Sequence, residues 1–199
     1  MKISQKQVTR GSGLLEPLLA RLRANKANKL IPSSLRNGRI LDIGCGSYPY
    51  FLAHTTFLNK FSIDQQQPAQ NFLDIEWVTL DLNNFSKIPF TDSYFNVITL
   101  LAVIEHLDPD KLSFLFKETY RLLKKNGALI ITTPASWTNG LLKAMSIIKL
   151  VSKEEIEEHK YSYTLPLIGW HFGAAGFSLE NSEFGYFELF MNLWGVARK

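Results

Sequence analysis

Apolar positions along the chain fall into two rhythms that take turns. Residues 39–43 (RILDI), 60–63 (KFSI), 76–80 (EWVTL), 94–101 (YFNVITLL) and 127–132 (GALIIT) are short, nearly unbroken apolar runs, rich in β-branched and aromatic residues and set off by turn pairs such as Asp92-Ser93 and Asn126-Gly127. Runs of that length and composition predict strands covered on both faces. Helical spacing separates or precedes them: a helix from about residue 49, another over 110–124, and an opening helix over 14–30. In the opening helix Leu14, Leu15, Leu18, Leu19 and Leu22 form a stripe that is expected to pack on the rest of the molecule. The alternation predicts an α/β fold with an open, mostly parallel sheet and helices on both faces.

The end of the chain changes character. LIGWHFGAAGF predicts a helix closing at Gly176, and the last 22 residues predict two strands joined by a tight turn around Gly185. Strands joined so tightly are antiparallel, so the final strand runs against the others. Between Pro134 and that helix, Leu141, Leu142, Met145, Ile148 and Val151 form a further apolar stripe. Residues 135–165 therefore read as an insertion that either lids a site or packs as a core helix, with contact to a membrane or a lipid as a third reading.

Composition narrows the class. At 199 residues and 46% hydrophobic content the chain has enough apolar material for one core, and is read as a single domain over 1–199 with residues 1–36 as an N-terminal helical extension. No uncharged apolar stretch is long enough to span a bilayer. The opening MKISQKQVTRGSG lacks the apolar segment of a secretory leader, which makes the cytoplasm the expected compartment. Cys45 is the only cysteine, which removes an internal disulfide and a cysteine-based zinc site, and the four histidines show no ligand spacing, so no metal is expected. Net charge is +4, and the first 39 residues hold nine Lys or Arg against Glu16 alone. That front end fits either a solvated helix face or an anionic partner such as nucleic acid or a membrane surface.

The chemistry concentrates in ILDIGCGSYPYF, residues 40–51. A covered strand accounts for Ile40 to Ile43, but Gly44 and Gly46 follow at once, where bare backbone permits a close approach or a conformation that a Cβ forbids. Asp42 brings an acid to the same place. In open α/β sheets the first strand-to-helix turn is the usual ligand cradle. A dinucleotide fingerprint would need a third glycine, and a phosphate loop would need Lys followed by Ser or Thr, and neither is present. A ligand carrying adenosine and an amino acid fits the turn better than one carrying phosphates.

These residues resemble the first motif of the class I S-adenosylmethionine-dependent methyltransferases, and the likeness continues over most of residues 36–177. FSID ending in Asp64, LDLNNF with Asp81, PFTDSYFNVITLLAVIEHL, RLLKKNGALIITTP and EHKYSYTLPLIGWHFGAAGF are similar to successive segments of the small-molecule branch called type 11. The resemblance implies a Rossmann-like fold, S-adenosylmethionine as cofactor, and a cofactor site built from Asp42, Gly44, Cys45, Gly46, Asp64, Gln65, Asp81, Leu82, Leu100 and Leu101. Within it Asp64 would hold the ribose hydroxyls, Asp81 the adenine amino group with Leu82 offering a backbone N–H, and the carbonyls near Leu100 and Leu101 the methionine ammonium. Departures from the family pattern are Tyr48 in place of a glycine, followed by Pro49, which predicts a late helix start and an aromatic ring near the cofactor, and Asn96 in place of an Asp.

For the transfer itself, positioning matters most, and a base helps where the acceptor is a hydroxyl. His159, His106 and Glu105 are the candidate catalytic residues. Tyr48, Trp137, Tyr161, Tyr163 and Trp170 are candidates to surround the sulfonium. The expected activity is methyl transfer to a small molecule, a saccharide or a lipid-linked intermediate among the options. The alternatives are an RNA methyltransferase, weakened by the lack of an N-P-P-Y-like tetrapeptide after the fourth strand, and a non-catalytic scaffold.

Overall fold

The computed structural model describes residues 14–138, 140, 151 and 161–199. A seven-stranded sheet carries strands β1 (Arg39–Ile43), β2 (Asn59–Asp64), β3 (Ile75–Thr79), β4 (Phe95–Leu101), β5 (Leu123–Pro134), β6 (Ser182–Phe187) and β7 (Asn192–Arg198) in the order β3-β2-β1-β4-β5-β7-β6. β7 pairs antiparallel with both β5 and β6, and the other pairs are parallel. The strand order reverses between β1 and β4, so their carboxyl ends flank a crevice.

Unbroken apolar strands follow from two separate cores, one on each face of the sheet. Ile40, Val97, Ala128 and Ile130 point to one face, under helices α1 (Glu16–Leu30) and α2 (Tyr50–Ala53) with Ala24, Ala27, Phe51 and Leu52. Their neighbours Leu41, Ile98, Leu129 and Ile131 point to the other, under α3 (Pro109–Leu122) and α4 (Leu165–Ala175) with Leu112, Leu115, Phe116, Ile168 and Phe172. A strand with alternate residues in two cores has no wet side, which is why polar alternation is missing.

Two local expectations need correction. The leucine stripe is only partly buried: Leu14 and Leu18 face solvent and Leu15, Leu19 and Leu22 are half-buried, while Glu16, Ala20, Ala24 and Ala27 form the buried face of α1. Small side chains let the helix lie close to the sheet, and a stripe read from leucines alone misses a stripe of alanines. Gly185 lies inside β6, where a Cβ would stand 2.8 Å from the Trp194 indole. The reversal comes later, at Glu188, Leu189 and Phe190, which are all left-handed although none is glycine. Of the apolar stripe between Pro134 and α4 only Val151 lies among the described residues, where it is buried; Leu141, Leu142, Met145 and Ile148 lie outside them.

Asn96, at the family's usual Asp position, is structural: its Oδ1 accepts from the Arg39 backbone N–H at 3.1 Å and its side chain abuts Gly38. α2 starts at Tyr50 after Pro49, the late start anticipated, and is only four residues long. α4 ends as expected on Gly176, left-handed at φ 107°.

Candidate functional site

One cleft opens at the carboxyl ends of β1, β2 and β4. It is lined by Asp42, Gly44, Cys45, Gly46, Asp64, Gln65, Asp81 and Leu82, and further along by Leu101, Ala102, Glu105 and His106. The three acids that end or follow successive strands thus share one hollow.

The glycine turn is fixed by its neighbours. Gly44 and Gly46 are left-handed at φ 77° and 69°, and a Cβ on Gly44 would come 2.5 Å from Val103 Cγ2. The Gly44 N–H donates to the Ile63 carbonyl at 2.7 Å, tying the turn to the end of β2. Gly46 N–H donates to Asp64 Oδ2 at 2.7 Å, and Gln66 N–H donates to Asp64 Oδ1 at 2.9 Å. Asp64 is therefore a brace of the turn as well as a lining group. Each of its oxygens keeps a second acceptor position, the number a vicinal diol needs.

Asp42 lies at the bottom of the cleft, 3% exposed, and accepts from Thr99 Oγ1 at 2.6 Å. Burial pushes its pKa up to about 7, and the nearby Asp64 carboxylate adds to the rise, against the Thr99 hydrogen bond. Two buried carboxylates side by side favour a positively charged ligand, which would relieve the strain of ionising both. Burial likewise raises the Cys45 thiol well above its ordinary value, with Asp42 and Asp64 reinforcing it, so Cys45 is a packed thiol and not a nucleophile. Asp81 is exposed and holds its own turn, Oδ1 accepting from Asn83 N–H at 2.9 Å.

The remaining candidates separate. Leu101 lines the cleft, but Leu100 is fully buried in the core, because adjacent strand residues face opposite ways. Ala102, left-handed at φ 58°, turns the chain into the wall of the cleft. Glu105 is buried, and its Oε2 accepts from Thr133 Oγ1 at 3.0 Å. His106 is half-buried beside it. His159 lies outside the described residues. The aromatic residues expected around a sulfonium lie elsewhere: Tyr48 packs on Phe72, Trp137 and Trp170 are exposed, and Tyr163 is buried with its phenol pushed up to about 12 by burial first and Glu105 second. Tyr50 and Phe51 line the cleft instead. His171 is buried, and burial lowers its pKa.

The wall of the cleft built by α1 and by the segments around β5 and β7 was not foreseen. Glu16, Leu19, Ala20 and Arg23 come from α1, Pro134 and Thr138 from the end of β5, and Met191 and Asn192 from the start of β7. Arg23 Nη2 lies 3.9 Å from Glu16 Oε2. The basic front end was the only sequence signal pointing to this wall, and it named no residue.

A doubly wound sheet with a glycine-bearing first turn and acids closing the next two strands defines a Rossmann-like fold of the nucleoside-binding kind. Residues 14–182 match the profile of the family described as Methyltransferase domain. The chain belongs to that methyltransferase family, and its cofactor is S-adenosylmethionine. Solved structures agree in fold: a SAM-dependent methyltransferase from Archaeoglobus fulgidus (17% identity, 90% of this chain and 94% of that one, TM-score 0.66). Another, from Mesorhizobium loti, shares 15% identity over 91% of this chain and all of that one, with a TM-score of 0.67. A third, described as a possible histamine N-methyltransferase from Thermotoga maritima, shares 19% over 92% and 91%, with a TM-score of 0.61. Among curated proteins none matches the chain.

The residues at the glycine end suit the cofactor by their chemistry. Bare backbone at Gly44 and Gly46 admits a closely seated ligand, Asp64 has spare acceptor positions for a diol, and the acid pair of Asp42 and Asp64 favours a cation.

Proposed function

We propose that the protein transfers a methyl group to a small-molecule acceptor, a saccharide or lipid-linked intermediate, that enters beside α1. The observation that carries this reading is that the glycine end and the wall made by α1 and β7 belong to one continuous cleft. S-adenosylmethionine, when bound, supplies a methyl group on a sulfonium. In the proposal Asp64 holds the ribose hydroxyls, Asp81 and Leu82 meet the adenine, Asp42 offsets the positive charge, and the backbone at Leu101 and Ala102 borders the methionine end.

Glu105 and His106 line the same cleft and are its candidates to receive a proton from an acceptor hydroxyl. His106 is assigned that role, with Glu105 fixing the wall that positions the acceptor. On transfer the acceptor O–H would become O–CH3 with the methyl group supplied by the cofactor, and the displaced proton would pass to the base.

Labelled S-adenosylmethionine added with the protein to a cell extract, followed by separation into lipid, water-soluble small-molecule, RNA and protein fractions, tests the substrate class. Label in either of the first two fractions is expected. Label confined to RNA would overturn the proposal and favour the RNA reading that the basic front end raises.

A further inference from the structure

Apolar side chains ring the acceptor end of the cleft on its outside. Leu189 and Phe190 are 87% and 65% exposed at the tip of the β6–β7 turn, Trp137 is 57% exposed, and Leu14 and Leu18 stand out from the start of α1. Contacts hold these pieces together. Trp137 Nε1 donates to the Phe190 carbonyl at 3.1 Å, and the Tyr186 ring lies 5.8 Å from that of Phe190. Glu188, at the base of the turn, is raised in pKa by burial, with Arg23 of α1 opposing the rise. The residues next to this ring, Leu19, Thr138, Met191 and Asn192, line the cleft itself.

Two features set the ring apart from scattered surface leucines. Its tip is built from three consecutive non-glycine left-handed residues, at φ 52°, 54° and 68°, a conformation that disfavours side chains and here serves to hold two large apolar groups in water. Its flank is cationic: α1 carries Arg21, Arg23, Lys26 and Lys29 against Glu16, which is buried, and Arg21 and Lys29 continue the exposed face that begins with Leu14 and Leu18. An apolar tip beside an acid-free basic face complements an anionic lipid surface, where the tip enters the acyl boundary and the cations meet the headgroups.

We propose that the rim formed by the β6–β7 turn, Trp137 and the exposed face of α1 docks on an anionic bilayer and presents the acceptor end of the cleft to it. Docking rests on the transferase reading only for its use, which is access to a lipid-linked acceptor. The contact itself is independent of catalysis.

Cosedimentation of the full chain with vesicles of phosphatidylglycerol and phosphatidylcholine, and with phosphatidylcholine alone, tests it. The protein is expected to bind the mixed vesicles, to release from them as salt rises, and to bind phosphatidylcholine alone weakly. The variant L189E/F190E is expected to lose about tenfold or more of its partition, since two apolar anchors become two charges. R21E/K29E is expected to lose the preference for the anionic vesicles. S-adenosylhomocysteine binding by both variants is expected to match the parent, which reports intact folding and keeps this test separate from that of the transferase reading. Equal partition of the parent and L189E/F190E, equal binding to both vesicle types, or a dimer in sedimentation velocity that L189E/F190E dissolves without any vesicle binding would overturn the proposal.

Discussion

Replacing Arg121 by alanine is expected to lower the unfolding free energy by about 3–5 kcal/mol, the size associated with removing one partner of a buried charge cluster. Arg121, on α3, donates from Nε and Nη2 to both oxygens of Glu118, each at 2.7 Å. Its Nη1 reaches Asp92 Oδ1 and the Phe90 carbonyl, and Nη2 the Ile88 carbonyl at 3.1 Å. Glu118 is 7% exposed, and its Oε2 also accepts from the Ile88 N–H at 2.9 Å. Burial works to raise the Glu118 pKa, yet the hydrogen bonds from Arg121 prevail and hold it below the usual carboxylate range. The alanine variant leaves that carboxylate without its cation and frees the segment leading into β4. Arg121→Lys is expected to recover only part of the loss, because an ammonium lacks the planar fork. Urea unfolding of the three proteins measures this, and a loss below about 1 kcal/mol for the alanine variant would show that the cluster is only a surface pair.

Asp42→Asn is expected to move two quantities in opposite directions. Burial pushes the Asp42 pKa up from its ordinary value of 3.8 to about 7, with the Asp64 carboxylate adding to the rise. Its folded pKa is raised, so the folded state holds a proton that the unfolded chain gives up. The penalty is absent below about pH 4, grows as pH rises, and is complete above about pH 7, where it is on the order of a few kcal/mol. The asparagine keeps an oxygen to accept from Thr99 and has no charge to ionise. It is expected to be the more stable protein at pH 8, with the advantage fading toward pH 4. Its affinity for S-adenosylmethionine is expected to fall at the same time, because the acid pair that favours a cation is halved. Thermal melts across pH with and without cofactor check both halves. An asparagine variant less stable than the parent at pH 8, or one with unchanged affinity, would contradict this account of the site.

Much of the architecture was legible in the chain for a simple reason. A strand with alternate residues in two cores must be apolar throughout, and such runs as VITLL and ALIIT stand out in any sequence. The cofactor end was legible too, because glycine at a left-handed turn and acids at strand ends lie within a few residues of landmarks. Parity was harder. Leu100 and Leu101 look alike in sequence, and only the register of β4 against β1 and β5 says which faces the core. The opening helix misled because alanines, not leucines, approach the sheet. The acceptor wall was hidden because its parts, Glu16 and Arg23 at one end of the chain and Met191 and Asn192 at the other, meet only through the fold. The β6–β7 turn was missed because Glu188, Leu189 and Phe190 carry no turn signature, while Gly185, which does, makes room for Trp194.

An Asp64→Ala substitution would remove the acceptor for the Gly46 and Gln66 N–H groups along with the group proposed to hold the ribose. Asp64→Asn is the milder probe, since its one amide oxygen can still accept from one of the two N–H groups. The account as a whole is tested most directly by titration calorimetry of the protein with S-adenosylhomocysteine, run beside the Asp64→Asn variant. One site per chain, with binding weakened by about tenfold or more in the variant while its melting temperature stays near that of the parent, is the result the account predicts. No heat and no thermal stabilisation at millimolar ligand, or equal affinity in the two proteins, would contradict it.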